Sequence, residues 1–209
     1  GMKPADLQNI TEIIKIIKAG LLAGGNKAFL NGESRNDVSY SELHQHSIAF
    51  ATFLKQNFPN VTNQPIGVFG TKDSTLLVYA ISILQSGNGY VPLNPEWPID
   101  RLKFIVQECR MQACIVQNSL LKIFVDTLAQ LDLPFETSDI GENHTFIKIE
   151  HRPKKYPKEL AYILFTSGST GFPKGIVHTS DGMSAFLKWC NKEFTKYKAS
   201  RFVSIAPLN

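Results

Sequence analysis

Between Pro65 and Ile149 short apolar, β-branched runs alternate with amphipathic segments of helical period, and no other feature of the sequence restricts the fold so strongly. Ile66-Gly67-Val68-Phe69 reads as a strand. Asp73 or Ser74 then caps a helix through Leu77, Ala80, Ile81 and Leu84, which Gly87 ends. Tyr90-Val91-Pro92-Leu93 is the next strand, Pro98 opens a helix with Leu102, Ile105 and Cys109, and Ala113-Cys114-Ile115-Val116 is a third strand. A helix with Leu121, Phe124, Val125 and Leu128 precedes two further strands, Leu133-Pro134-Phe135-Glu136 and Thr145-Phe146-Ile147-Lys148-Ile149, the latter at an edge. Strands joined through helices pair by crossover, so the expectation is an α/β fold: a doubly wound, mainly parallel sheet with helices on both faces.

The segment before Pro65 is helical in pattern. Leu7, Ile10, Ile14, Ile17 and Leu21 mark an amphipathic helix that stops near Gly24-Gly25. A short strand pair is expected around Ala28-Phe29-Leu30 and Val38-Ser39-Tyr40. Ser39 and Glu42 have capping-box spacing for a helix that turns Leu43, Phe50, Phe53 and Leu54 inward. His44 and His46 stand two apart on it and therefore on different faces, which argues against a shared metal.

With 209 residues and 43% apolar content the chain can bury one sizeable core or two small ones. No run approaches the ~18 apolar residues of a membrane span, and the N-terminus lacks the basic-then-apolar layout of a secretion signal. The expectation is a soluble, cytoplasmic protein without a membrane partner. Gly1 ahead of Met2 reads as the remnant of a cleaved expression tag. Cys109, Cys114 and Cys190 are odd in number and lie in apolar segments, which favours buried thiols over disulfides or a metal site. The net charge of +4 gathers at residues 152–158 and 188–201. The first cluster carries two prolines and reads as a solvated connector, and no stacking aromatics accompany it, so nucleic acid is not an expected partner.

Beyond the connector, Ala161-Tyr162-Ile163-Leu164-Phe165 and Ile176-Val177-His178-Thr179 read as strands flanking Thr166-Ser167-Gly168-Ser169-Thr170-Gly171-Phe172-Pro173-Lys174-Gly175. This loop has the chemistry of a phosphate clamp. Gly168, Gly171 and Gly175 let backbone N–H groups converge on an anion, Thr166, Ser167, Ser169 and Thr170 add hydroxyl donors, and Lys174 brings a mobile cation. Pro173 cannot donate a ladder bond, which keeps the turn out of the sheet. His178, alone in the exit strand, has no triad partner and reads as structural. Farther on, Met183, Phe186, Leu187, Cys190 and Phe194 form one helical face, and Phe202-Val203-Ser204-Ile205 begins a strand.

Two familiar phosphate loops do not fit. A Walker loop needs Lys straight after its second Gly, but that Gly position, counted from Gly168, is Pro173. A dinucleotide fingerprint needs Gly where Thr170 stands, which removes the basis for an NAD-type oxidoreductase. The string closely resembles the ATP-phosphate loop of the adenylate-forming enzymes, the superfamily of acyl-CoA synthetases, luciferases and peptide-synthetase adenylation domains. The resemblance covers nearly the whole chain. Val38-Ser39-Tyr40-Ser41-Glu42-Leu43 looks like that family's first core motif, and Leu84 to Asn94 like its second. Asn88 stands where the family often has Gly or Ala, and Asn94 where Asp is frequent. Pro95 to Leu102, and Ser184 to Cys190 after the loop, look more like members that activate amino acids or load D-alanine onto carrier proteins than like fatty-acyl-CoA synthetases.

The resemblance implies that residues 1–209 are the N-terminal portion of an adenylation domain, ending before the acid pocket, the ribose-binding aspartate and the C-terminal domain with its catalytic lysine. It places the ATP-phosphate site at Thr166, Ser167, Gly168, Ser169, Thr170, Gly171 and Lys174, with no catalytic residue and no protein metal ligand in this stretch. ATP and Mg²⁺ are the implied cofactors. The substrate would be a carboxylic acid, an amino acid in the first instance, and the acceptor a thiol on a carrier protein or CoA. On this reading the 209 residues alone are inactive. The alternatives are a non-catalytic nucleotide-binding or interaction module and a fatty- or aryl-acid CoA ligase.

Overall fold

The computed structural model describes residues 40–59, 61–71, 74–156, 160, 162–167 and 173–178. The helix around Leu7–Leu21, the strand at Ala28–Leu30, the residues Val38 and Ser39 and everything after His178 lie outside them. Two compact units divide the chain, one holding the helices of residues 40–57 and 74–85 and the other the sheet.

In the first unit helix α1 spans Tyr40–Asn57 and helix α2 spans Ser74–Gln85. Tyr40, placed by sequence in a strand, is the first residue of α1 instead; the helical run that follows overrides a three-residue β pattern. Ser47, Ala51 and Leu54 are buried at helical spacing, while Phe50 and Phe53 are half-buried and stack on each other. The two helices meet where the Phe50 ring lies edge-on to Tyr79 with centroids 4.8 Å apart. Close approach is also marked by Ser82, whose buried hydroxyl lies 2.9 Å from the Ser47 carbonyl.

Among the described residues the second unit is built on a seven-stranded sheet. Its strands are β1 (Pro65–Phe69), β2 (Gly89–Leu93), β3 (Ala113–Gln117), β4 (Phe135–Ile140), β5 (His144–Ile149), β6 (Tyr162–Ser167) and β7 (Pro173–His178). Their order is β4-β5-β3-β1-β2-β6-β7. The four central strands β3, β1, β2 and β6 are parallel, and antiparallel strands flank them on either side. The α/β expectation therefore holds, with the parallel pairing concentrated at the centre of a mixed sheet.

β1 is buried along its whole length, as expected of a central parallel strand: Ile66, Val68 and Phe69 have almost no exposure, although alternate residues face opposite sides. One face packs against helix α3, Ile99–Glu108, and helix α4, Leu121–Gln130. Leu102, Ile105 and Val106 of α3 and Phe124 and Leu128 of α4 enter a core with Phe69, Val91, Leu93, Val116, Ile147 and Ile163. Cys109 and Cys114 are free thiols inside this core, and burial pushes the Cys109 thiol up to about 12, so both behave as small apolar groups. Cys190 lies outside the described residues.

Two strand expectations are corrected. Thr145–Ile149 is not an edge, because β5 pairs with β3 on one side and β4 on the other. The strand expected at Leu133–Glu136 begins only at Phe135 and runs to Ile140 through exposed Glu136, Thr137, Ser138 and Asp139. Its register against β5 and the left-handed Gly141 in the connecting turn define it, not an apolar pattern.

The basic connector is exposed at residues 152–155, as expected of a solvated segment, yet it is also tied down. Tyr156 donates its hydroxyl to the Cys109 carbonyl at 2.7 Å, and the Lys154 amine reaches the Glu108 carbonyl at 3.3 Å. Both bonds supply donors to carbonyls that the end of α3 leaves unpaired. Gln64 Nε2 in turn donates to the Lys154 carbonyl at 2.9 Å.

Candidate functional site

The candidate clamp is the turn of the hairpin that closes one side of the sheet. β6 runs parallel to β2 and so delivers Ser167 to the same end of the sheet as Leu93, Phe69 and Gln117. These are the carboxyl ends of the parallel strands, where open α/β sheets bind ligands. The chain returns as β7, antiparallel to β6, with Ser167 opposite Pro173, Thr166 opposite Lys174 and Phe165 opposite Gly175. Strand, loop and strand is the arrangement read from the sequence, and among the described strands β7 lies at one edge of the sheet and β4 at the other. Pro173 is the first residue of β7, a position where the missing N–H disturbs the ladder least.

Of the site residues named from sequence, Thr166, Ser167 and Lys174 belong to the strand ends that bracket the turn. Gly168, Ser169, Thr170 and Gly171 lie outside the described residues. Gly175 sits within β7, not in the turn. His178 pairs with Tyr162 at the other end of the hairpin, a strand's length from the clamp.

Neighbouring strand ends at this side of the sheet carry polar anchors that sequence reading did not assign. The Gln117 side-chain oxygen accepts the Thr71 N–H at 2.8 Å, holding the exit of β1 to that of β3. Gly70 leaves room for this amide, since a Cβ there would lie 3.1 Å from Gln117 Oε1. After β2, Asn94 folds the chain back: its Oδ1 accepts the Glu96 N–H at 2.9 Å and its carbonyl the Trp97 N–H at 3.1 Å. Pro98 then caps α3, and the Arg101 guanidinium lies over the Trp97 ring at 4.4 Å from its centroid. The segment Pro95–Leu102 thus has a framework role in this structure.

The other departure from the family pattern is buried. Asn88 accepts the Gln64 N–H on Oδ1 at 3.1 Å and donates from Nδ2 to the Val61 carbonyl at 3.3 Å, joining the entry of β1 to that of β2. His46 is exposed on α1, and among the described residues no group of three His, Cys, Asp or Glu is placed to hold a metal ion. No described helix is long and apolar enough to cross a membrane.

Comparison with known proteins bears on the family and the fold. The chain is 29% identical over 184 residues to the nonribosomal peptide synthetase penN of Penicillium thymicola, a match covering 84% of this chain and 6% of the synthetase. It is 28% identical over 172 residues to a D-alanine–D-alanyl carrier protein ligase of Listeria monocytogenes, covering 82% of this chain and 34% of the ligase. The chain therefore spans a small part of the first relative and about a third of the second. In three dimensions it resembles the amide bond synthetase McbA of Marinactinospora thermotolerans, with a TM-score of 0.66 at 16% identity over 92% of this chain and 42% of that one. The model of the AMP-binding enzyme family matches residues 22–209, which take in the whole sheet and the hairpin turn at its carboxyl end: the chain belongs to the AMP-binding enzyme family.

Proposed function

We propose that the protein carrying this chain is an adenylate-forming ligase, with residues 1–209 forming the N-terminal portion of its adenylation domain. A substrate carboxylate oxygen attacks the α-phosphorus of ATP, the bond between the α-phosphorus and its bridging oxygen breaks, and acyl-adenylate and pyrophosphate form. A thiol of a carrier protein or CoA then takes the acyl group and releases AMP. The observation that carries this reading is the position of the hydroxyl- and glycine-rich string as the turn of a hairpin at the carboxyl ends of the parallel strands, with Thr166 opposite Lys174.

Each residue has a task that an anion requires. Glycines and hydroxyls of residues 166–171 offer neutral donors to the phosphate oxygens, and Lys174 supplies the charge that follows pyrophosphate as it leaves. No step calls for a nucleophile from the protein, and stabilisation of developing charge is the contribution expected of such a loop. Mg²⁺ would be held chiefly by the nucleotide: none of residues 162–178 is Asp or Glu, so the phosphates would supply the anionic oxygens. When bound it would neutralise charge on the phosphates.

An amino acid is the substrate class this reading favours. The peptide synthetase and D-alanine ligase among the relatives support it, as does the stretch Gly89–Leu102, although that stretch is framework and reports ancestry more directly than chemistry. A cytoplasmic setting follows from the need for ATP. The test is ATP–pyrophosphate exchange by the full-length protein with amino acids, fatty acids and aryl acids side by side. Exchange with an amino acid bears the proposal out. Turnover with a fatty or aryl acid alone overturns the substrate class and leaves adenylation standing; nucleotide binding without exchange for any acid replaces the enzyme with a binding module.

A further inference from the structure

Strand β6 is the platform of the phosphate turn, and its entry is held by contacts beyond the ladder with β2. Among the described residues these two strands register at Tyr90 and Tyr162. Just upstream, the Leu160 N–H donates to the side-chain oxygen Oδ1 of Asn63, which lies 97 residues earlier in the chain. Asn63 is at a φ of 55°, in the left-handed region that Asn tolerates and Gly takes freely. Its own N–H donates to the Gly87 carbonyl at 2.7 Å, and the Gly89 N–H returns to the Gln64 carbonyl at 2.8 Å. Asn88 ties the same turn at Gln64 and Val61. The Leu160 side chain belongs to the core and closes over Gly89, where an added Cβ would come within 2.7 Å of Leu160 Cβ.

We infer that Asn63 is a positioning residue for the phosphate turn, fixing where β6 enters the sheet and with it the register of the β6–β7 hairpin. The inference rests on the reading of that turn as the ATP-phosphate site. Its force comes from the geometry of strands. A strand that slips by one residue moves its far end by about 3.3 Å and exchanges its faces, and a misplacement of ~1 Å at a reacting group can slow a reaction about 100-fold. An anchor at the start of β6 therefore governs Thr166 and Ser167 at its end. A side-chain acceptor held by an unusual backbone angle and a buried second amide is a specific device for that purpose.

Two substitutions separate the anchor from ordinary packing. Asn63→Gly keeps the left-handed backbone and removes the acceptor, whereas Asn63→Asp keeps an acceptor at the same place. Amide hydrogen exchange on the chain should show residues 162–167 and 174–178 exchanging on the order of tenfold faster in Asn63→Gly, with residues 113–117 and 144–149 unchanged, and recovery in Asn63→Asp. In the full-length protein the KM for ATP in pyrophosphate exchange should rise by about the same factor in Asn63→Gly, with the KM for the acid unmoved. Asn88→Ala, which loosens the turn carrying Asn63, should act in the same direction. Hairpin exchange unaltered by Asn63→Gly, or accelerated equally throughout the sheet, would overturn the inference. Faster hairpin exchange in a protein whose native form never uses ATP would keep the anchor and discard the phosphate assignment.

Discussion

Lys174 is the residue on which the functional reading is most exposed. Its backbone pairs with Thr166 across the β6–β7 ladder, and removing one electrostatic contact to a transition state typically slows a reaction 10²- to 10³-fold. Lys174→Ala in the full-length protein should slow pyrophosphate exchange by about that factor; an unchanged rate would remove the clamp assignment. Two glycines give a second residue-scale prediction, because what an added methyl would meet differs. At Gly89 it would meet Leu160 Cβ at 2.7 Å, an atom next to the backbone that cannot swing away. At Gly67 it would meet Met111 Sδ at 2.7 Å and Cε at 2.9 Å, the far end of a flexible side chain, although Cys114 Sγ at 3.1 Å limits the room. Gly89→Ala should therefore destabilise by ~2–3 kcal/mol and Gly67→Ala by about half that, read as shifts in urea midpoint at constant m-value. A larger loss at Gly67 would contradict the packing argument. The ranking was not available from sequence, where Gly67 is simply a glycine within an apolar strand and Gly89 one just ahead of the next.

At the scale of elements, what sequence could identify followed from local pattern, and what escaped was set by distant partners. β1, β2, β3, α3 and α4 fall within a residue or two of their expected bounds, since each combines an apolar period with a cap or a Gly or Pro stop. β4 was misplaced because Glu136, Thr137, Ser138 and Asp139 carry no apolar alternation and are strand only through β5. The connector after β5 was read from its lysines and prolines alone; its bonds to Cys109, Glu108 and Gln64 join residues 46 to 90 positions apart. His151 at the head of that connector yields a pH prediction. It is half-buried with Nδ1 3.3 Å from the Met111 carbonyl, and burial holds its imidazole below the ordinary 6.5, with the charge of Arg110 acting the same way against the Met111 hydrogen bond. The folded state thus binds this proton less readily than the unfolded chain. Its contribution to stability is complete above pH 6.5 and is lost as pH falls through and below that value. Urea midpoints taken between pH 7.5 and 5.5 should decline more steeply in the native protein than in His151→Gln, and parallel curves would contradict the assignment.

At the scale of the molecule, the α/β class was legible because buried parallel strands must be reached by crossovers, and the sequence shows the strand-helix rhythm directly. The strand order was not, and neither was the β4–β5 flank, because those pairing partners are chosen by the finished sheet; the short loop between β6 and β7 is what made that flank readable. The order matters for function, since β2, β6 and β7 adjoin one another and carry the turn to the carboxyl ends of the parallel strands. A ligand seated there binds the folded chain and not the unfolded one, whose turn residues are no longer bracketed by β6 and β7. Mass action then gives a prediction that needs no turnover. ATP with Mg²⁺ at about 100 times its Kd should stabilise the full-length protein by ~2.7 kcal/mol. If the sheet-containing region melts as a domain of 150–250 residues, each kcal/mol is worth ~2–4 °C, so its transition should rise by roughly 5–10 °C. Lys174→Ala at the same nucleotide concentration should lose much of the rise if its charge meets the phosphates, since a tenfold weaker Kd removes ~1.4 kcal/mol. NAD at equal concentration should give little, because the loop lacks the glycine spacing that a dinucleotide requires. A protein that ATP leaves unmoved while NAD raises its transition would overturn the phosphate-clamp reading and return the chain to the dinucleotide-binding class that its strand-helix rhythm alone would allow.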